Sequence, residues 1–179
     1  MPSNKDRLYV VLYARGGLAK MPGKEDTYHW ALIVGPKDEE EGGHGMRYHA
    51  KERMIAAGQS EWFFDERETT LEATSMLLVR ITVAKVKKMD QLVNTLRSVP
   101  IKQGEPGWNC VIWVKEALQA LQTDGKALGT SDIEWQKVRD AAMRYVQEKK
   151  DEHRFDGKGD FNMKWAATYS LLEGKETTP

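Results

Sequence analysis

The apolar positions of this chain fall into a strand-like first half and a helix-like second half. Leu8 to Tyr13 is a run of β-branched, aliphatic and aromatic residues closed by Arg15-Gly16-Gly17, which predicts a buried strand ending in a loop. Tyr28 to Val34 predicts a second strand, stopped by Gly35-Pro36, and Met46 to Lys51 a short third one folding back on it. Glu61 to Asp65 offers a further strand. Ser75 to Val86 is the clearest after the first, because Leu77, Val79, Ile81 and Val83 alternate with Leu78, Arg80, Thr82 and Ala84. The period then lengthens. Leu92, Leu96 and Val99 mark a helix over Met89 to Val99 that Pro100 ends. Cys110, Trp113, Val114, Ala117, Leu118 and Leu121 form the stripe of a second helix, with Asn109 as its N-cap. Asp132 is placed to cap a third that runs to about Lys149, and Trp165 to Leu172 is the one part of the tail able to pack. Strands followed by helices predict an α+β fold over residues 1–179, an antiparallel sheet packed against helices in one domain.

Charge narrows the function. The 179 residues include 27 Lys or Arg and 27 Asp or Glu, so the net charge is zero with the histidines neutral. The two signs are interleaved, which argues against a nucleic-acid partner. No apolar run approaches the roughly 20 residues of a membrane span. Leu8 to Tyr13 is too short for a signal-peptide core, so the expected location is cytoplasmic. Lys37 to Gly45, acidic and glycine-rich, predicts a surface turn or flap, with gating by Glu39 to Glu41 as a lesser alternative.

One cysteine forbids an internal disulfide and directs attention to thiol chemistry. Cys110 opens a helix, where free N–H groups and the macrodipole favour a thiolate and lower its pKa. Of the four histidines, His29 sits at the start of an apolar strand and is best held to act as a base. His49, on the next strand, can bond the other ring nitrogen of His29 and fix its tautomer. Trp30, Trp108, Asn109 and Trp113 lie near these residues in sequence and are candidate walls of a substrate pocket. The backbone N–H of Cys110 is the candidate oxyanion donor. A lone cysteine without a short His-x-x-x-His spacing is a poor metal set, so no metal and no cofactor are expected.

His29 to Gly35 (HWALIVG), His49 on the following strand, and Asn109 to Val114 (NCVIWV) at a helix start together resemble the permuted papain-like thiol enzymes related to lecithin:retinol acyltransferase and the NlpC-type peptidases. The desumoylating isopeptidases show a comparable order, and the chain as a whole resembles a fungal family of uncharacterised function. The resemblance covers residues 28–50 and 108–118. It implies a papain-like fold in which Cys110 is the nucleophile, His29 the general base and His49 its polar partner. Two features depart from that pattern: His29 and His49 are 20 residues apart, and Val-Ile-Trp-Val follows the cysteine in place of a more polar run.

The expected activity is cysteine-dependent acyl transfer, a hydrolase or transferase acting on an amide or thioester of a small molecule or peptide. The alternatives are a non-catalytic binding module with the same shape and a tailoring enzyme using the same side chains as acid and base. Taken singly, Cys110 and His29 also fit core roles and His49 a surface one. The sequence names neither the substrate nor the oligomeric state.

Overall fold

β1 (Arg7–Ala14) is the axis of the sheet, flanked by β2 (Tyr28–Gly35) and β5 (Leu77–Val86), both antiparallel to it. The computed structural model describes residues 5–38, 43–70, 72 and 76–179. Leu8 to Leu12 are all buried, because both faces of β1 are covered. That is why it reads as an unbroken apolar run and not as an alternation. β3 (His44–Ala56) and β4 (Gln59–Thr70) form a long hairpin on the β2 side, turned at Gly58, which holds the left-handed φ of +72° that glycine tolerates. Both strands outrun the expected segments. β3 is exposed from Lys51 onward, Met54 and Ile55 included, and β4 carries the polar run Glu66 to Thr70, so strand conformation there leaves no buried alternation to read.

On the other side of β5 lie β7 (Ala167–Ser170) and then β8 (Lys175–Thr178), while β6 (Leu128–Ser131) shares the β7 edge of β5. Among the described residues eight strands make one sheet, seven of them in the order β4-β3-β2-β1-β5-β7-β8 with β6 off that path. β7 runs parallel to β5, so the sheet is mixed and not purely antiparallel as the sequence suggested. The reason is connectivity: the chain from β5 to β7 passes through all three helices, which supplies the long crossover that a parallel pair requires.

α1 (Met89–Ser98), α2 (Cys110–Asp124) and α3 (Trp135–Asp151) bury their stripes in one core. They meet the sheet face made by Leu8, Val10, Leu12, Trp30, Leu32 and Val34. The opposite face carries Tyr9, Val11, Ala31 and Ile33. Asn109 caps α2 as expected, its side-chain oxygen accepting from the N–H groups of Val111 at 3.0 Å and Ile112 at 3.1 Å. α3 begins later than the sequence suggested. Glu134, and not Asp132, accepts from its first free N–H groups, while Asp132 pairs with Lys137. Glu39 to Glu41 and Ser75, the proposed gate and the expected start of β5, lie outside the described residues. No helix among the described residues is long and apolar enough to cross a membrane.

The cap is directly testable. Asn109→Ala is expected to lower unfolding stability in urea by about 1 kcal/mol, and Asn109→Asp to retain most of it. Equal stability of wild type and Asn109→Ala would contradict the capping role.

Candidate active site

The site arises where two neighbouring strands part. β2 and β3 pair only over Leu32↔Tyr48, Ile33↔Arg47 and Val34↔Met46, whereas β2 stays paired with β1 as far as Tyr28 and β3 with β4 throughout the hairpin. Below Leu32 the β2 edge is therefore released, and the start of α2 is brought against it. The backbone N–H of Trp30 faces the sulfur of Cys110 there. A cavity of about 390 Å³ opens at this gap, lined by His29, His49, Asn109 and Cys110 together with Tyr13, Arg15, Arg47, Lys51 and Trp62.

Strand alternation puts His29 on the face of Ala31 and Ile33, and His49 on the same face of β3. The two imidazoles meet diagonally across the parted strands, His29 Nε2 lying 2.6 Å from His49 Nδ1. The other nitrogen of His49, Nε2, is 2.8 Å from Asp65 Oδ2, and Asp65 stands directly opposite His49 in the β3–β4 register. Burial works against the Asp65 charge. The His49 hydrogen bond and the neighbouring Arg67 and Arg47 outweigh it and hold the carboxyl below its usual range. An ionised Asp65 can only accept, so His49 carries its proton on Nε2 and presents a bare Nδ1. His29 Nε2–H then donates to that nitrogen, and the lone pair of His29 is left on Nδ1.

Both rings are neutral at physiological pH. Burial comes first in lowering His29 to about 3, with His49, Arg47, Arg15 and Lys51 adding to it. His49 is lowered to about 4, again chiefly by burial, against the opposing pull of Asp65. Cys110 behaves otherwise than the helix-start argument suggested. The residue is 4% exposed, and burial pushes the thiol up, outweighing the N–H of Trp30, the charge of Arg15 and the N–H groups of Val111 and Cys110 itself. The resting site thus pairs a neutral thiol with a neutral imidazole on one cavity wall, with no hydrogen bond between Cys110 and His29.

Of the residues expected from sequence, Cys110, His29, His49 and Asn109 come together at the cavity. The three tryptophans do not line it. Trp30 is fully buried, donating to Glu25 O at 2.8 Å and packing on Trp135. Trp113 is buried against Phe64. Trp108 sits behind the wall, edge-on to Trp62 at 5.6 Å, and it is Trp62 that faces the space. His44 and His153 are held elsewhere by Glu68 and Asp156. Sequence reasoning missed Asp65, Trp62 and the cations Arg15, Arg47 and Lys51. Among the described residues no group of three or more His, Cys, Asp or Glu is arranged to hold a metal ion.

Residues 5–178 match a family of unknown function, DUF6914. The chain belongs to that family. Neither the curated proteins nor the solved structures provide a match.

The depressed imidazoles carry a pH signature. The folded state holds both histidines neutral down to pH 3–4, while an unfolded histidine protonates near 6.5. The unfolded chain thus binds more protons below 6.5, and the stability that is fully present above that value is lost as pH falls towards 4. Each histidine contributes a slope of up to about 1.4 kcal/mol per pH unit in that window. Urea midpoints measured from pH 7 to pH 4.5 are expected to fall, and to fall less steeply in His29→Gln/His49→Gln. An unchanged slope in the double variant would contradict buried neutral rings.

Proposed function

We propose that the protein is a cysteine-dependent acyl-transfer enzyme of permuted papain-like architecture, with Cys110 as nucleophile and His29 as base. The observation that carries this reading is the chain Asp65–His49–His29. It spends one nitrogen of His29 on a fixed partner and leaves the other as an acceptor in the cavity that also contains the sulfur. A buried carboxylate flanked by two arginines has no need of two histidines linked in series for stability alone. The element order, a histidine strand, a strand carrying its polar partner and then an Asn-Cys helix start, supports the architecture.

In this reading the thiol proton passes to His29 Nδ1 as the sulfur attacks the carbonyl carbon of an amide or thioester. The negative charge moves to the carbonyl oxygen, for which the N–H of Cys110 is the candidate donor, the Val111 and Ile112 N–H groups being already taken by Asn109. Collapse returns that charge to the carbonyl and expels the amine or thiol, which takes the proton from His29. Water or an amine then cleaves the thioester and regenerates the thiol, its proton again passing through His29. His49 and Asp65 fix the tautomer and support the imidazolium as it forms.

A second reading, a non-catalytic binding module, draws on one specific observation: the thiol is raised by burial and is not engaged by His29. Mass mapping after incubation with a library of acyl electrophiles separates the two. Acyl transfer requires an adduct at Cys110, reduced roughly 10²- to 10⁴-fold in rate by His29→Ala and less by Asp65→Asn. Full reactivity of His29→Ala would overturn the proposed base. Ligand binding that survives Cys110→Ser, with no adduct in wild type, would favour the binding module.

The raised thiol has its own readout. Alkylation of resting Cys110 by iodoacetamide is expected to rise through a midpoint above the ordinary thiol value of about 8.5. A midpoint below that value would contradict the burial argument.

A further inference from the structure

The charge around the reacting atoms is one-sided. Arg15, Arg47 and Lys51 line the cavity, and Glu52 is the single carboxylate among its lining residues. Arg47 and Lys51 flank His49 two positions either way on β3 and so share its face. Arg15 follows β1 on the opposite side, anchored by a hydrogen bond from its guanidinium to the carbonyl of Asp26. The three cations therefore converge on the site from two strands. Each is near enough to His29 to oppose its protonation, and Arg15 also acts on Cys110.

This charge is only partly offset: the Asp26 carboxylate is near enough to Arg15 for the guanidinium to help lower its pKa. Among the described residues neither Arg15 nor Lys51 forms an ion pair, and both are exposed at the mouth of the cavity. Arg47 lies 3.8 Å from Asp65, which already serves His49, and its buried Nε has no hydrogen-bond partner. Glu52 is occupied in part by Ser60 at 2.9 Å. The remaining wall is aromatic and apolar, from Tyr13, Trp62 and Met76.

Resting on the acyl-transfer reading, we propose that the substrate bears a carboxylate beside the carbonyl that Cys110 attacks, bound by Arg15, Arg47 and Lys51. Guanidinium groups match a carboxylate through paired N–H donors, and the partial offset of Arg47 by Asp65 suits a single negative charge better than a phosphate dianion. Binding and catalysis are then coupled. The anion offsets the cationic contribution that adds to burial in lowering His29, so basicity rises when the substrate is in place and falls again when the product leaves.

Two alkylating agents that differ in this charge alone test the proposal on the full chain. Iodoacetate carries a carboxylate next to the carbon that the sulfur attacks, and iodoacetamide is its neutral counterpart. The ratio of their rates at Cys110 in the folded protein, divided by the same ratio in the urea-unfolded chain, is expected to exceed one by roughly fivefold or more, the effect of one cation a few ångströms away. It should shrink in Arg15→Gln and in Lys51→Gln and fall with added salt, a readout that needs no variant. A normalised ratio of one, or one indifferent to both salt and these variants, would overturn the carboxylate assignment while leaving thiol chemistry in place. Failure of either reagent to modify the folded protein, with normal reaction of the unfolded chain, would instead remove the acyl-transfer reading and this inference with it.

Discussion

The parting of β2 from β3 below Leu32 is the constraint on which the site depends. A continuous ladder would have set Ala31 opposite His49 and closed the edge of β2 against β3. Because the ladder stops, the edge of β2 is free to face α2, and the Trp30 N–H is directed at the Cys110 sulfur. A helix packed on one face of the sheet can thereby contribute to a cavity whose histidines project from the other face. The strands do not separate further because each is held on its far side, β2 by β1 and β3 by the whole length of β4.

The polar chain through Asp65, His49 and His29 occupies this gap at a cost in desolvation. Two neutral imidazoles and one carboxylate satisfy one another in a fixed direction, with every donor aimed at an acceptor, and this is the condition under which a buried polar network is tolerated. The same burial that makes the tautomers unambiguous leaves His29 a weak base and Cys110 a reluctant acid. The same cavity is lined by three cations, Arg15, Arg47 and Lys51, against one carboxylate, Glu52.

Much of the scaffold was legible in the sequence because its core strands are apolar from end to end. Leu8 to Tyr13 and Tyr28 to Val34 needed no tertiary information, Pro100 marked the end of α1, and Asn109 announced the start of α2. The three four-residue strands β6, β7 and β8 were not legible, since segments so short owe their conformation to the edge they pair with and not to their own pattern. Without β7 the sheet could only be taken as antiparallel. In the candidate site, order and context pointed to Cys110, His29 and His49, which line one cavity. They did not point to Asp65, because an acidic residue at the end of a short apolar run reads as the start of a turn. The missing signal was the register: a hairpin turned at Gly58 carries His49 to Asp65, and the apolar residues before that turn, Met54 and Ile55, are exposed and bury no face that would fix it. Tryptophans close in sequence to the cysteine proved a poor guide, because Trp30 and Trp113 point into the core that α2 itself covers.

The central claim is that a fixed chain of hydrogen bonds delivers a bare nitrogen of His29 to the cavity. Long-range ¹H–¹⁵N correlation of the imidazole nitrogens in ¹⁵N-histidine-labelled protein at pH 7 measures this directly. Both His29 and His49 are expected to be neutral with the proton on Nε2, and replacing Asp65 with Asn should disturb both rings. A charged imidazole at either position, or His29 with its proton on Nδ1, would contradict the account.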